Sequence, residues 1–169
     1  MNCLDIGANI GTHSVILSNL FKNVYSYEPQ KDVYDILKLN IQINKCNNII
    51  LNNFGLGEIE KQITMQCFDK DQPNNIAAIA IDDTNNGCEK VQIKTLDSLN
   101  LMNIKFIKID IEGYEYNALL GGIKMIKENK PIIIFEQHDM YSKIFKLIES
   151  LGYNIRRISY ANDYLASPS

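Results

Sequence analysis

A stretch near the start of the chain has residue types and spacing that could hold a cofactor. It reads LDIGANIGTHS and places Asp5, Gly7, Asn9 and Gly11 directly after a run of aliphatic residues. Gly7 permits a tight turn after a strand, and Gly11 would let the start of the next helix pack close to that strand. Free N–H groups at such a helix start can face a polar or anionic ligand. Taken alone, the stretch is equally compatible with a plain turn between a strand and a helix.

A carboxylate at the end of the next aliphatic segment favours the cofactor interpretation. Glu28 follows the glycine loop by about twenty residues, and a carboxylate at that distance can accept hydrogen bonds from both hydroxyls of a ribose. The alternative is a solvated acid before Pro29, which stops the strand. Asn9 stands where dinucleotide-binding loops carry their central glycine. Asp5 would repel a pyrophosphate but suits an ammonium group, and the loop amides suit a carboxylate, which favours S-adenosylmethionine over NAD.

A cluster of acids follows a later aliphatic segment. The stretch FIKIDIEGYEYN carries Asp110, Glu112 and Glu115 within six residues. Asp110 and Glu112 would share one face if the chain stays extended. Such a cluster is typical of proton transfer, binding of a substrate hydroxyl or binding of a metal. For Glu115 a structural role in the first turn of a helix is favoured, because the helix dipole stabilises an acid there.

The stretch FEQHD places Glu136 and His138 after another aliphatic run, and the alternation predicts that they point the same way. His138 is one of two histidines, and a near-neutral pKa would let it act as a general base toward a hydroxyl. A purely structural histidine is the alternative. His13 falls inside the first predicted helix, where packing beside the glycine loop is the simpler role.

Alternating aliphatic runs and helical periods must position these residues. The pattern predicts a doubly wound α/β fold with a mostly parallel sheet. Ligands bind such sheets beyond the carboxyl ends of the strands, where the strand order reverses. The predicted strands are 2–6, 24–27, 49–53, 106–110, 131–136, 153–159 and 164–167. The predicted helices are 12–21, 31–44, 115–128 with a break at Gly121 and Gly122, and 141–151.

The middle of the chain departs from this alternation. Residues 61–68, 76–81 and 89–96 are strand-like and are joined by polar segments without a helical period. They predict antiparallel strands inserted at 61–96 into a single domain that covers residues 1–169. These strands, together with Tyr141 and Tyr160, are expected to shape a substrate pocket.

Composition limits the class of protein. The 169 residues are 46% hydrophobic and 22% charged, which is typical of a folded globular chain rather than a disordered one. A net charge of −3 gives no electrostatic reason to expect nucleic acid. The cysteines are scattered without a C-x-x-C pair, so we expect reduced thiols in a cytoplasmic protein. The apolar runs are too short to span a bilayer, so no membrane partner is expected.

The motifs together resemble one known family. DIGANIGTHS, YSYEP, VQIKTLDSL, IKIDIEGYEYNALLGG, PIIIFEQH and LGYNI occur in the order seen in FkbM-type S-adenosylmethionine-dependent methyltransferases. The resemblance runs from residue 2 to about residue 165. It implies the Rossmann-like class I methyltransferase fold, with a seven-stranded sheet whose last strand is antiparallel. It also implies O-methylation of a hydroxyl on a sugar or another small metabolite.

The resemblance also implies roles for particular residues. The ribose-binding acid is Glu28, Asp110 lies where cofactor and substrate meet, and Glu112 and Glu136 line the same rim. Candidate bases are His138, Asp110 and Glu136, in that order. The cofactor loop comprises Asp5, Gly7, Ala8, Asn9 and Gly11. The segment near the adenine runs from Asn53 through Gly55 to Leu56.

Some alternatives remain open at this stage. Members of the family usually carry a segment before the first strand that helps to cover the active site, whereas Met1 lies beside that strand here. The chain is then a fragment, a minimal variant or one domain of a larger protein, and an inactive scaffold that binds S-adenosylmethionine is a rival function. An NAD-binding oxidoreductase is a second rival. We expect no resident metal, although Asp110, Glu112, Glu136 and His138 could together hold a hard cation.

Overall fold

The computed structural model describes residues 1–65, 81–82, 89–139, 142–160 and 162–169. Within these ranges the strands are β1 (Asn2–Ile6), β2 (Asn23–Tyr27), β3 (Ile49–Asn52), β4 (Gly55–Leu56), β5 (Lys61–Met65), β6 (Ile81–Asp82), β7 (Glu89–Lys94), β8 (Ile104–Ile109), β9 (Ile132–Glu136), β10 (Tyr153–Arg157) and β11 (Asp163–Pro168). The α-helices are α1 (Thr12–Ser18), α2 (Lys31–Ile43), α3 (Glu115–Leu120), α4 (Ile123–Asn129) and α5 (Lys143–Ser150).

A mostly parallel seven-stranded sheet organises the fold. Its strand order is β10-β11-β9-β8-β1-β2-β3, and β11 runs antiparallel to both of its neighbours. The predicted α/β class and the antiparallel last strand are therefore confirmed. Since β1 lies between β2 and β8, the strand order reverses beside β1, and the fold has its topological switch point there.

The central strands are aliphatic because helices cover both faces of the sheet. On one face, Cys3 of β1 packs with Leu17 of α1, and Leu37 and Ile41 of α2 form a neighbouring cluster. On the other face, Leu4 packs in a large cluster. Its members from α3, α4 and α5 include Leu119, Ile126, Ile144 and Ile148. The alternation along β1 thus directs Asp5 to the same face as α1.

Helix α1 is shorter than predicted, whereas the break predicted in the later helix is present. Helix α1 ends at Ser18 rather than at residue 21, because the backbone N–H of Asn19 donates to the carbonyl of Ile16 and tightens the last turn. The predicted break at Gly121 and Gly122 is confirmed, since α3 and α4 are separate helices. A side chain at Gly121 would place its Cβ 2.0 Å from the carbonyl oxygen of Gly57, so a residue with a side chain cannot fit there without a backbone shift.

A second, smaller sheet lies in the middle of the chain, with the order β4-β7-β5-β6. β5 is antiparallel to β7 and to β6, whereas β4 is parallel to β7 and was not predicted as a strand of this sheet. The predicted strand 76–81 lies almost entirely outside the described residues, as do residues 66–68. The extent of the domain, 1–169, stays a prediction.

Candidate active site

Two rows of residues lie at the carboxyl ends of the central strands. In the first row Asp5 of β1 lies between Ser26 of β2 and Lys108 of β8, which are its partners in the parallel register. Two positions further along the chain, just beyond the ends of β2, β1 and β8, lie Glu28, Gly7 and Asp110, which form the second row. The topology therefore brings together residues that are separated by up to about a hundred positions in sequence.

Gly7 lies between the two acids of the second row, at a position where the backbone leaves no space for a side chain. Its φ is +75°, and an added Cβ would lie 1.9 Å from the carbonyl oxygen of Asp110. The backbone N–H of Asp110 in turn donates to the carbonyl of Ile6. The glycine thus allows the first loop to pack directly on the loop after β8, in addition to making the predicted tight turn.

Hydrogen bonds within the protein occupy the amides of the glycine loop. The N–H groups of Gly7 and Ala8 both donate to the carbonyl of Tyr27, and the N–H of Gly11 donates to the carbonyl of Ala8. The N–H of Ile10 donates to the side-chain oxygen of Asn9, whose φ is +50°. The amides of Gly7, Ala8, Ile10 and Gly11 are therefore already engaged, and the expected ligand contact at the start of α1 stays a prediction.

Gly11 has a different packing partner from the one predicted. Its φ is +94°, and an added Cβ would lie 2.5 Å from Leu37 Cδ1. Leu37 belongs to α2, so the glycine allows close contact between the start of α1 and the neighbouring helix. The atoms nearest to an added Cβ all belong to α2 and none to β1, so the predicted close packing on the preceding strand is not what this glycine provides.

Glu28 is buried and held by backbone amides. Its two carboxylate oxygens accept hydrogen bonds from the N–H groups of Asn9 and Gln30, each at 3.0 Å. Burial raises the pKa of Glu28 to about 7, although these two hydrogen bonds act in the opposite direction. The backbone therefore fixes this carboxylate at one wall of the site.

Asp5 lies beneath the loop rather than on the cavity wall. It is fully buried, and one oxygen accepts a hydrogen bond from Ser14 Oγ at 2.5 Å. The other oxygen has no hydrogen-bond partner and lies 3.6 Å from Lys108 Nζ. Burial raises the pKa of Asp5, and the nearby Lys108 opposes that rise. The proposed direct contact between Asp5 and an ammonium group has no support in this position.

Lys108 is the site residue that sequence reasoning missed. Its Nζ donates to the carbonyl of Gly7 at 2.9 Å and lies 3.5 Å from a carboxylate oxygen of Asp110. The cation thus lies between Asp5 and Asp110 and holds the turn of the first loop. A charged residue in the middle of the aliphatic run FIKID was the available signal, because a central strand rarely buries an unpaired lysine.

A cavity of about 610 Å³ opens above these rows, a size typical of small-molecule sites. Its walls combine apolar side chains with the acids described above. They include Tyr27, Phe54 and Met65, and the rings of Tyr27 and Phe54 meet edge to face at 5.5 Å. Among the predicted cofactor-binding residues, Gly7, Ala8, Asn9, Glu28, Gly55, Leu56 and Asp110 line this cavity.

Asn53 and Gly11 do not line the 610 Å³ cavity, and the side chain of Asn53 instead holds the backbone after β2. Its side-chain amide donates to the carbonyls of Glu28 and Pro29 at 2.9 and 3.0 Å. These bonds fix the end of β2 beside the segment that carries Phe54. The side chain therefore supports the wall of the cavity from behind.

A second cavity of about 250 Å³ adjoins the first. The two share His13, Lys108, Asp110 and Glu136. The rest of the second cavity is largely apolar and includes Leu17, Phe106, Ile134 and Ile158. Of the residues predicted to shape a substrate pocket, Tyr160 is fully exposed and lines neither cavity, and Tyr141 lies outside the described residues.

The acids after β8 do not share one extended face. Glu112 has a φ of +50° and Gly113 a φ of +90°, so the chain turns sharply and does not stay extended, which was the condition for Asp110 and Glu112 to share one face. Glu112 nevertheless lines the first cavity together with Asp110. Burial raises the pKa of Glu112, and the negative charges of Asp110 and Glu136 raise it further. Glu115 instead braces the turn, because it accepts the N–H groups of Ile111 and Gly113.

Glu136 and His138 lie together at the end of β9, as their alternation predicted. His138 Nε2 is 3.1 Å from Glu136 Oε1. Glu136 lines both cavities, whereas the side chain of His138 is 76% exposed and lines neither. The histidine therefore contacts the acid of the cavity wall from outside.

Two further properties concern the residues that the structure describes. Among them, no group of three or more histidine, cysteine, aspartate or glutamate side chains is arranged to hold a metal ion. Within the same ranges, no helix has the length and apolar character needed to cross a membrane.

Cys3 and Cys46 are free thiols, and Cys67 and Cys88 lie outside the described residues. The cytoplasmic location stays a prediction.

The glycine loop, Glu28 and the acidic rim all lie in a region that matches one protein family. Residues 5–155 match the methyltransferase FkbM domain. The chain belongs to this family. The resemblance seen in the sequence is thereby confirmed, and the matched residues include all those that line the two cavities apart from Ile158 and Asp163.

Two curated relatives match this chain over part of their own length. The chain is 29% identical over 142 residues to the hexuronic acid methyltransferase AglP of Haloferax volcanii. This alignment covers 77% of this chain and 53% of AglP. It is 28% identical over 135 residues to an uncharacterized RNA methyltransferase of Staphylococcus aureus, which covers 79% of this chain and 28% of that protein. The chain thus spans about half of the first relative and little more than a quarter of the second.

Solved structures share the fold of the FkbM domain. The methyltransferase FkbM of Methylobacillus flagellatus superposes with a TM-score of 0.72 at 20% identity, over 98% of this chain and 43% of that one. A putative methyltransferase of Streptococcus mutans, SMU.1697c in complex with SAH, superposes with a TM-score of 0.54 at 12% identity, over 98% of this chain and 85% of that one. At these identities the likeness shows the class I methyltransferase fold.

Proposed function

We propose that this FkbM domain is an S-adenosylmethionine-dependent methyltransferase that methylates a hydroxyl of a sugar or another small metabolite. The observation that carries the proposal is the buried Glu28 carboxylate, which backbone amides hold at the wall of the 610 Å³ cavity. A carboxylate fixed in this way can accept hydrogen bonds from both hydroxyls of a ribose. The Streptococcus mutans neighbour, which was solved with SAH, supports the same cofactor class.

The cavity fits S-adenosylmethionine better than a dinucleotide. A pyrophosphate needs free loop amides, and the amides of Gly7, Ala8 and Gly11 already donate to carbonyls of the protein. A cofactor without phosphate does not need them. The rings of Tyr27 and Phe54 offer an apolar wall for the adenine, and the Lys108 ammonium lines the cavity as a partner for the carboxylate of the cofactor.

The shared wall of the two cavities is the proposed place of reaction. When bound, S-adenosylmethionine supplies a methyl group on an activated sulfonium. Asp110 and Glu136 line both cavities and can orient an acceptor hydroxyl at that junction. The apolar part of the second cavity then excludes water around the acceptor. The relative AglP is a hexuronic acid methyltransferase, which supports a sugar as one acceptor class.

Calorimetric titration of the chain with S-adenosylmethionine and with NAD tests the cofactor. We expect saturable one-to-one binding of S-adenosylmethionine and none of NAD. Binding of NAD, or of neither compound, would contradict the proposal. Acceptors are then tested by release of S-adenosylhomocysteine from a panel of hexuronic acids, neutral sugars and short RNAs.

The panel separates the remaining alternatives. Turnover on sugars supports O-methylation of a small metabolite. Turnover on RNA alone would replace that acceptor class with the one named for the Staphylococcus aureus relative. Tight cofactor binding without turnover on any acceptor would favour the scaffold that the sequence left open.

A further inference from the structure

A series of side-chain contacts connects β10 to the wall of the two cavities. The guanidinium of Arg157 donates to the side-chain oxygen of Asn162 at 2.6 Å. It also donates to the carbonyls of Ser159 and Tyr160, each at 3.0 Å, which fixes its own position. A guanidinium only donates, so the oxygen of the Asn162 amide must face Arg157. The nitrogen of that amide therefore faces the other way.

That nitrogen lies 3.0 Å from Nδ1 of His138. An amide nitrogen only donates, so Nδ1 must accept and carries no proton. A neutral imidazole with an unprotonated Nδ1 carries its proton on Nε2. Nε2 is the nitrogen that lies 3.1 Å from Glu136 Oε1. Both ring nitrogens thus have partners within the protein, and neither remains to take a proton from an acceptor.

The backbone holds this arrangement together. Asn162 has a φ of +65°, and its carbonyl accepts the N–H of Gln137 at 3.1 Å. The next residue, Asp163, pairs with Glu136 in the register of β11 and β9. The sheet therefore places Asn162 beside His138 independently of the side-chain bonds.

We propose that His138 is a positioning residue whose tautomer Asn162 fixes, and that Glu136 is the carboxylate that meets the acceptor hydroxyl. This inference rests on the proposed function and replaces His138 as the first candidate base. Glu136 lines both cavities, whereas His138 lines neither. The N–H of His138 directs one carboxylate oxygen, which leaves the other to face the acceptor.

The proposed step balances without a further reactant. The acceptor oxygen forms a bond to the methyl carbon as the sulfur–methyl bond breaks. The electron pair of that bond stays on sulfur, which becomes the neutral thioether of S-adenosylhomocysteine. The hydroxyl proton goes to a carboxylate oxygen of Glu136 and then to solvent at the exposed rim.

Nitrogen-15 NMR of the histidine rings tests the tautomer directly. Only His13 and His138 contribute signals, and His13→Gln assigns them. At about pH 8, where histidines are mostly neutral, we expect His138 to show a protonated Nε2 and an unprotonated Nδ1. In Asn162→Asp the carboxylate accepts from Nδ1, so the Nδ1 signal should shift to the protonated type. Asn154→Asp adds the same charge to an exposed position of β10 and should leave His138 unchanged.

Glu136→Gln completes the test. Its amide oxygen still accepts from Nε2, so the tautomer should persist if Asn162 fixes it and should be lost if the charge of Glu136 fixes it. A protonated Nδ1 in the unaltered chain, rapid exchange between tautomers, or an unchanged spectrum in Asn162→Asp would each overturn the proposal. These spectra need no cofactor, so their outcome is independent of the calorimetric test of the proposed function.

Discussion

The two halves of the site hold their carboxylates in different ways. Glu28, at the end of β2, is buried and accepts two backbone N–H groups. Glu136, at the end of β9, has a side chain that is 35% exposed and contacts the side chain of His138. Backbone donors are fixed once the strands pair, whereas side-chain donors depend on further side chains. The half around Glu28 is therefore a property of the fold, and the half around Glu136 can change while the fold is kept.

The largest expected effect comes from adding a side chain at the close backbone contact in the Glu28 half. Gly7→Ala adds a Cβ that would lie 1.9 Å from the Asp110 carbonyl oxygen, at a φ of +75°. We expect a loss of about 4 kcal/mol in the free energy of unfolding, or no folded protein, from strain and overpacking together. Urea denaturation measures the change.

Gly152→Ala is the matched control for this substitution. Its φ is +82°, and nothing lies within 4 Å of an added Cβ, so only the backbone strain of about 1 kcal/mol should appear. Equal losses of unfolding free energy in the two variants would mean that the contact between the two loops is not tight. The half around Glu28 would then be as adjustable as the half around Glu136.

The next largest effect concerns Lys108, which joins the two halves. Lys108→Met leaves the buried Asp5 without its cationic neighbour, and we expect a loss of about 2 to 3 kcal/mol at neutral pH. The pKa of Asp5, already raised by burial, rises further. The folded variant then binds more protons than the unfolded chain, so its stability falls and the loss grows as pH rises above 3.8, the ordinary pKa of an aspartate.

Lys105→Met provides the control on the same strand. Lys105 Nζ donates to the carbonyl of Asn129 at 3.1 Å, away from the site. Its replacement should cost about 1 kcal/mol without a marked dependence on pH. If thermal or urea unfolding finds the same pH profile for both variants, the charge arrangement around Asp5 is not the cause.

Cofactor affinity should depend on the ionisation of Glu28. Its pKa is about 7, so the ionised fraction rises about tenfold between pH 6 and pH 8. We expect the dissociation constant of S-adenosylmethionine to fall by about the same factor. Glu28→Gln should weaken binding by about 10-fold to 100-fold at pH 8 and abolish the pH dependence. Calorimetry at the two pH values measures both.

The stability of the unliganded protein should fall as pH rises, whereas the affinity for the cofactor should rise. The folded pKa of Glu28 lies above its ordinary value of 4.5, so the free energy of unfolding falls as pH rises from about 4.5 to about 7. Asp35→Asn, on the exposed side of α2, should alter neither profile. An affinity that is independent of pH in the unaltered chain would argue against Glu28 as the ribose ligand.

The smallest expected effect lies in the other half. His138→Gln removes a side chain that lines neither cavity, so the dissociation constant of S-adenosylmethionine should change by less than about twofold. Its free energy of unfolding should stay within about 0.5 kcal/mol, because the side chain is exposed. A fivefold or larger change in affinity would show that the two halves are coupled.

Much of the fold followed from local pattern. Aliphatic runs bounded by glycine, proline and polar residues located the strands of the large sheet, and the paired glycines located the break after α3. The end of α1 at Ser18 did not follow, because the tightened turn at Asn19 leaves no trace in the spacing of apolar residues. Strand β4 is two residues long and has no pattern to detect.

The site was predicted less completely, for two physical reasons. The sharp turn at Glu112 needs a left-handed conformation at a residue with a side chain, which periodicity does not encode. The roles of Lys108 and Asn162 depend on partners far away in sequence, so only the folded chain places them. The positions of Glu28 and Gly7 were predictable because each follows directly from one strand and one turn.

The pairing of β1 with both β2 and β8 has a consequence for synthesis of the chain. The ribosome synthesises the glycine loop before the lysine that donates to Gly7, which follows 101 residues later. Until that lysine emerges, the nascent loop lacks one of its two walls, and a central strand of the sheet has an unpaired edge. Closing this long-range contact is therefore expected to be a slow step in the folding of the nascent chain.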